Sequence, residues 1–293
     1  MNVVQKSYVQ IHISVLLWGF TAILGKLIEI PTLQLVWWRV LLTSLSLLFL
    51  LKTYSKLKEV PGKVQLQIIG IGFLVGLHWL CFYGAVKLAN SSIAVVCMAT
   101  VSLMTSILEP IFFKNKINWK EIVLGLLILP GMLMIVNTNL NWMTGIIVGL
   151  IGAFLAALFS VLNKKVVAYT DALSVTFLEI NGVLILTSLL LPVYFYVFPA
   201  EPFLPSIKDF GYLCFLAVCC TSLPFVLSML ALRHISTFSS NFITSLEPVY
   251  GILLAWLILN EDQQLSPQFY WGTILIMVVV FSYPFIHKTK LQL

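Results

Sequence analysis

The stretch that decides the fold lies near the C-terminal end, Phe238 to Leu259: "FSSNFITSLEPVYGILLAWLIL". Its length and apolar content read as a membrane-crossing helix, since about 20 apolar residues cover the hydrocarbon core. One residue resists that reading: Glu247, at the centre of the run. The same Leu-Glu-Pro tripeptide occurs once before, at Leu108-Glu109-Pro110.

Working outward, the rest of the chain is like this stretch. Sixty per cent of the 293 residues are apolar or aromatic and 10% are charged, with a mean hydropathy of +1.02. A soluble domain carries roughly 25% charged residues. The composition excludes that class and reads as an all-α integral membrane protein. Runs long enough to cross number ten, at about 9–28, 33–51, 67–86, 91–113, 120–136, 144–162, 172–197, 211–232, 236–259 and 269–286. The fifth is short and holds Pro130, a site for a kink. No cleavage signal is expected ahead of the first run. The connections leave no room for a separate soluble domain.

The basic residues orient the chain. Placed with the N-terminus inside, thirteen of the 17 Lys and Arg fall on the inner segments, from Lys6 through Lys164 and Lys165 to Lys290. Lys87 and Lys208 fall outside, with Glu29, Glu201, Asp209, Glu261 and Asp262. That asymmetry predicts a multi-pass protein of the cell (inner, cytoplasmic) membrane with both termini cytoplasmic. The net charge of +6 is then a topology signal, and no nucleic-acid partner is expected. The expected partners are membrane lipid and a small-molecule solute, with the protein a monomer or homodimer. The five cysteines sit in apolar runs as small fillers, and no metal or cofactor is expected.

Ten spans with both ends on one side permit two five-helix halves, 1–140 and 141–293, inserted in opposite directions around a central cavity. "AVKLANSS" (85–92) introduces the fourth span as "ALRHISTFSS" (231–240) introduces the ninth. Under that alignment the two Leu-Glu-Pro tripeptides do not correspond, and the two glutamates need separate explanations.

Further residues carry a resemblance. Trp18-Gly19 with Lys26, Trp38-Arg39, "YGAVKLANSSIA" (83–94) and "ALRHISTFSSNFITSLEPVYGILLAWLILNED" (231–262) together resemble the EamA-like permeases of the drug/metabolite transporter superfamily. The chain departs from that pattern at Asn260-Glu261 and at Lys114-Asn115-Lys116. The resemblance implies a basket of helices around one cavity that opens alternately to the two sides, with the fifth and tenth spans peripheral. It implies substrates among amino acids, other metabolites, nucleotide-linked sugars and hydrophobic drugs, with export the common direction.

Intramembrane polar residues are the candidate site, because a charge at mid-membrane costs about 2.5–3.5 kcal/mol on insertion scales and is kept for a partner or a task. Glu247 is the leading proton-coupling residue: it can take up a proton on one side and release it on the other. Pro248 behind it frees a backbone carbonyl. The competing reading makes Glu247 a packing residue between two helices. Glu179 is a second proton-coupling candidate, with Asn181 nearby, and Lys164 is a possible ion partner for it. Glu109, close to interfacial lysines, reads as a structural ion pair. Arg39 either binds an anionic group, snorkels outward, or pairs with Glu29. Lys26 snorkels. His78, Trp79 and Tyr83 form a polar-aromatic stripe, with Trp18, Asn241 and Tyr250 as further substrate-binding candidates. Gly72-x-x-x-Gly76 and Gly145-x-x-x-Gly149 read as close-packing positions.

These features predict a secondary transporter of small organic solutes, an exporter driven by protons or an uncoupled facilitator. A non-transporting membrane assembly or sensor protein is the rival from another class. No phosphate-binding loop is present to use ATP. No nucleophile–base set or paired-histidine motif points to an enzyme.

Overall fold

The computed structural model describes residues 2–50, 54–136, 142–200, 203–247, 249–251, 254, 257 and 266–286. Its helices, in chain order, are α1 (Val3–Leu27), α2 (Thr32–Leu50), α3 (Tyr54–Glu59), α4 (Gly62–Leu88), α5 (Ser91–Met98), α6 (Val101–Phe113), α7 (Trp119–Leu126) and α8 (Ile128–Val136). Then follow α9 (Met143–Val166), α10 (Ala172–Val197), α11 (Ile207–Ala217), α12 (Leu223–Leu232), α13 (Thr237–Thr244) and α14 (Pro267–Ile286). No strand occurs among the described residues. Seven spans are long and apolar enough to cross a membrane: α1, α2, α4, α5–α6 together, α9, α10, and α11–α12 together.

Local chemistry sets the helix starts, where the first N–H groups have no intrahelical partner. Asn2 caps α1 and exchanges hydrogen bonds with Gln5 in a capping box. The Asp171 carboxylate accepts from the backbone of Leu173 and Ser174 to start α10. Asn90 caps α5 by accepting from Ile93 N at 2.8 Å, and Ser236 caps α13 by accepting from Ser239 N at 3.0 Å. Between α7 and α8 the helix breaks at Leu127. Pro130, three residues on, has no N–H to offer the Leu126 carbonyl.

Two helices are broken alike. Each of α5 and α13 runs eight residues and then tightens through i→i−3 bonds. In the first these are Ala99 N to Val96 O and Thr100 N to Cys97 O; in the second, Ser245 N to Phe242 O and Leu246 N to Ile243 O. The breaks touch: Ser245 Oγ donates to Ala99 O at 3.3 Å, across 146 residues of sequence, the same separation as that of the two helix starts, Ser91 and Thr237. In this register Glu247 corresponds to Val101, and Glu109 to position 255. The two Leu-Glu-Pro tripeptides are therefore not equivalent.

Glycine lets the other helices meet backbone to backbone. At the α4–α10 crossing, a Cβ on Gly72 would lie 2.2 Å from the Glu179 carbonyl oxygen, and one on Gly182 would lie 2.3 Å from that of Ile69. Gly145 and Gly149 bring α9 against Ala89, Ala85 and Cys97 in the same way. Outside, Phe49, Leu189, Val193 and Tyr196 are exposed, an apolar exterior suited to lipid. The helices α7, α8 and α14 pack on one another and contribute nothing to the cavity described next. Pro248, Glu261, Asp262, Lys288 and Lys290 lie outside the described residues, as do most of the last third of the ninth expected span and the chain's C-terminal end.

Candidate functional site

Helices α1, α2, α4, α5, α6, α9, α12 and α13 line a cavity of about 100 Å³, room for several waters. Its wall takes Trp18 and Thr21 from α1, Arg39 from α2, and His78, Trp79 and Phe82 from α4. Met98 and Val101 flank the α5–α6 break, and Asn241, Thr244 and Glu247 flank the α13 break. Ser160 and Asn163 come from α9, and Phe225, Ser228 and Leu232 from α12.

Arg39 is the fixed cation of the site. Only 2% of it is exposed, so snorkelling and pairing with Glu29 are both ruled out by position. Its Nη1 donates to Tyr83 Oη at 2.7 Å, and its Nε donates to Thr221 Oγ1 at 2.8 Å. The guanidinium carbon lies 4.0 Å from the Trp79 ring centroid, a cation–π contact strengthened by the loss of water around it. Thr221 reaches this position because residues Val218–Ser222 form a π-helical turn in which Thr221 Oγ1 also donates to Leu216 O at 2.7 Å. Inserted turns of this kind re-aim side chains at functional sites. Two of the guanidinium's donors are committed and others remain for an anionic group.

Glu247 lies on the same cavity, 7% exposed, within electrostatic reach of Arg39. Beside it, Asn241 Nδ2 donates to Thr105 Oγ1 at 2.8 Å, and Thr105 Oγ1 in turn donates to Val101 O at 2.8 Å. That leaves the Asn241 amide oxygen uncommitted. His78 Nδ1 lies 2.8 Å from Gly152 O. A carbonyl only accepts, so Nδ1 carries the proton and Nε2 is the acceptor of the neutral ring. Phe159 meets the imidazole edge-on at 5.4 Å. Trp18 and Trp79 both pack edge-on against Phe225, completing an aromatic wall.

Of the residues expected at the site, Trp18, Arg39, His78, Trp79, Asn241 and Glu247 meet on this one cavity. Tyr83 is fully buried behind the wall, and its part is to hold Arg39. Asn181 is elsewhere: its Nδ2 donates to Phe177 O at 2.7 Å and its Oδ1 accepts from Ser44 at 3.2 Å, at the α2–α10 interface. Tyr250 is not on the cavity wall either. Its Cβ packs on Gly19, where an added Cβ would come within 2.8 Å.

Glu179 is fully buried and does not pair with Lys164. Lys164 Nζ instead donates to the carbonyls of Leu232 and Ile235, because the open backbone between α12 and α13 offers acceptors closer to the helix end. Glu109 is structural: its two oxygens accept from Thr237 N at 3.0 Å and Phe238 N at 2.8 Å, and its charge also acts on Lys164. It satisfies the start of α13, where a carboxylate is also favoured by the helix dipole.

The sequence reading missed Thr21, Asn163, Thr221 and Ser228. Thr221 sits in an unbroken apolar run, and nothing local announces a π-turn. Asn163 precedes Lys164-Lys165 and reads as part of a polar helix end; its depth was the missing information. Among the described residues no three His, Cys, Asp or Glu side chains gather as a metal site would require.

Comparison with known proteins then decides the family. The sequence model of the EamA-like transporter family matches residues 5–137 and 143–283. The chain belongs to the EamA-like transporter family. This EamA-like chain is also 25% identical over 270 residues to an uncharacterized transporter, YetK, of Bacillus subtilis (strain 168), covering 87% of this chain and 80% of that one. A solved crystal structure shares its fold with a TM-score of 0.72 at 15% identity, over 96% of this chain and 97% of the other. The chain is thus a multi-pass membrane protein and a transporter of the drug/metabolite superfamily, and its family speaks for transport and not catalysis.

Proposed function

We propose that this protein is a secondary transporter that exports a small organic solute across the cytoplasmic membrane by alternating access, with Glu247 as its proton-coupling carboxylate. The architecture in this reading is ten spans in two inverted five-helix repeats, 1–140 and 141–293, with both termini cytoplasmic. The ninth span is α13 and its continuation, and the tenth is α14. The observation that carries the proposal is the meeting of Arg39 and Glu247 on one cavity, next to the touching breaks of the α5–α6 and α13 helices. Broken helices at mid-membrane supply free backbone groups for a solute and a place to bend.

Chemically, the solute's anionic or electron-rich group faces the Arg39 guanidinium, and its apolar body lies against Trp18, Trp79 and Phe225. Asn241 and the neutral His78 ring give hydrogen-bond selectivity. Solute and proton compete for Glu247: its carboxylate holds the solute's ammonium or other cationic group, and a proton on Glu247 removes that charge and releases the solute. Amino acids and amphiphilic metabolites fit this lining. Glu179 is a second carboxyl within the same system. Flux from proteoliposomes loaded with a mixed pool of amino acids and lipophilic cations tests the reading. Accumulation that follows an imposed pH gradient is the expected result. Flux blind to the gradient would leave a facilitator, and no flux or binding at all would favour the non-transporting reading.

A further inference from the structure

A second polar position on the cavity wall stands apart from Arg39 and Glu247. Asn163, on the last turn of α9, lines the cavity and is otherwise fully buried. Neither its amide nitrogen nor its amide oxygen has a hydrogen-bond partner. Facing it from α10 is Glu179, also fully buried, with neither carboxyl oxygen in a regular hydrogen bond; the one side chain within hydrogen-bonding reach of its carboxyl is Asn163. Apart from each other the two side chains have no polar partner, and an unsatisfied buried polar group forfeits about 1–3 kcal/mol, more for a charge.

We propose that Glu179 and Asn163 form a second proton-binding site that opens on the solute cavity, distinct from Glu247. A side-chain amide is suited to this task because it offers an acceptor and a donor on one rotatable group. With Glu179 un-ionised, its O–H donates to Asn163 Oδ1. When the proton leaves to water in the cavity as hydronium, the carboxylate that remains accepts from Asn163 Nδ2 after the amide turns over. No hydrogen bond outside the pair holds the amide in either orientation. Glu109 offers the contrast: both its oxygens are committed to backbone N–H groups, and it has no such freedom.

The surroundings leave this pair to itself. The elements packed on α10 are chiefly α2, α4 and α12. Their titratable groups are Arg39 on α2, then Lys63, His78, Cys81, Tyr83 and Lys87 on α4, with none on α12. None of these acts on Glu179. Lys164, next to Asn163 on α9, is bound to the carbonyls of Leu232 and Ile235.

The proposal rests on the transport reading for its purpose and not for its test. The full chain in lipid nanodiscs is titrated with pH by infrared difference spectroscopy, following the carbonyl stretch of un-ionised carboxyl groups. A titrating band that is lost in Glu179→Gln, kept in Glu247→Gln and displaced in Glu179→Asp is expected. Asn163→Leu is expected to change the proton affinity read from that band by about tenfold or more, one pH unit. A Glu179 band that does not respond to pH would overturn the proposal, as would one that titrates identically in Asn163→Leu. Flux in the same preparations is read separately: a preparation that transports nothing yet shows this band would sink the transport reading alone.

Discussion

The two Leu-Glu-Pro segments, Leu108–Pro110 and Leu246–Pro248, are the same three letters with opposite uses. Glu109 ends its span on the start of α13, with each oxygen on a backbone N–H. Glu247 lies past the break that follows α13, on the cavity that Arg39 also lines. The motif does not determine the role; the place where its helix is broken does. In the first copy the break comes at Ala99–Thr100, ahead of a long regular helix that carries Glu109 away from the cavity. In the second the break comes at Ser245, two residues before Glu247. The break positions match under a shift of 146 residues, but the glutamates do not.

That contrast can be broken by substitution, and the largest effect is expected at the cavity. Arg39→Met should abolish solute binding and flux, because a buried charge that loses its counterpart costs roughly 2–5 kcal/mol. Solute-dependent thermal stabilisation reads it, and an unaltered response would place the solute elsewhere. Glu109→Ala should lower stability by about 1 kcal/mol, the usual cost of removing a helix cap, while solute flux per folded protein is retained. The mid-point of thermal unfolding in detergent measures it. Tyr83→Phe, and likewise Thr221→Val, should each remove one hydrogen bond to Arg39. Each should weaken solute binding by about 1 kcal/mol, roughly fivefold, without loss of fold.

Much of this was legible in the sequence. The seven membrane-capable spans among the described residues follow from hydropathy. Six expected site residues meet on one cavity because intramembrane polar residues are few and are costly elsewhere. What was not legible depends on rotation and on backbone irregularity. Asn181 is a cavity candidate by depth, but its face of α10 turns to Ser44. Tyr83 and Thr221 act at second hand through Arg39, and the π-turn that aims Thr221 leaves no composition signal in "VCCTS". Asn163 was hidden by its lysine neighbours. Glu109 was read correctly as structural, but its partners are backbone groups 128 and 129 residues away in sequence, which no local pattern reveals.

The most direct measurement is gradient-driven solute flux in proteoliposomes, with Glu247→Gln and Glu109→Gln prepared side by side. Loss of gradient dependence in Glu247→Gln, with Glu109→Gln still responding to the gradient, is the predicted result. A Glu247→Gln protein that still follows the gradient, beside a Glu109→Gln protein that does not, would contradict the assignment of the two glutamates.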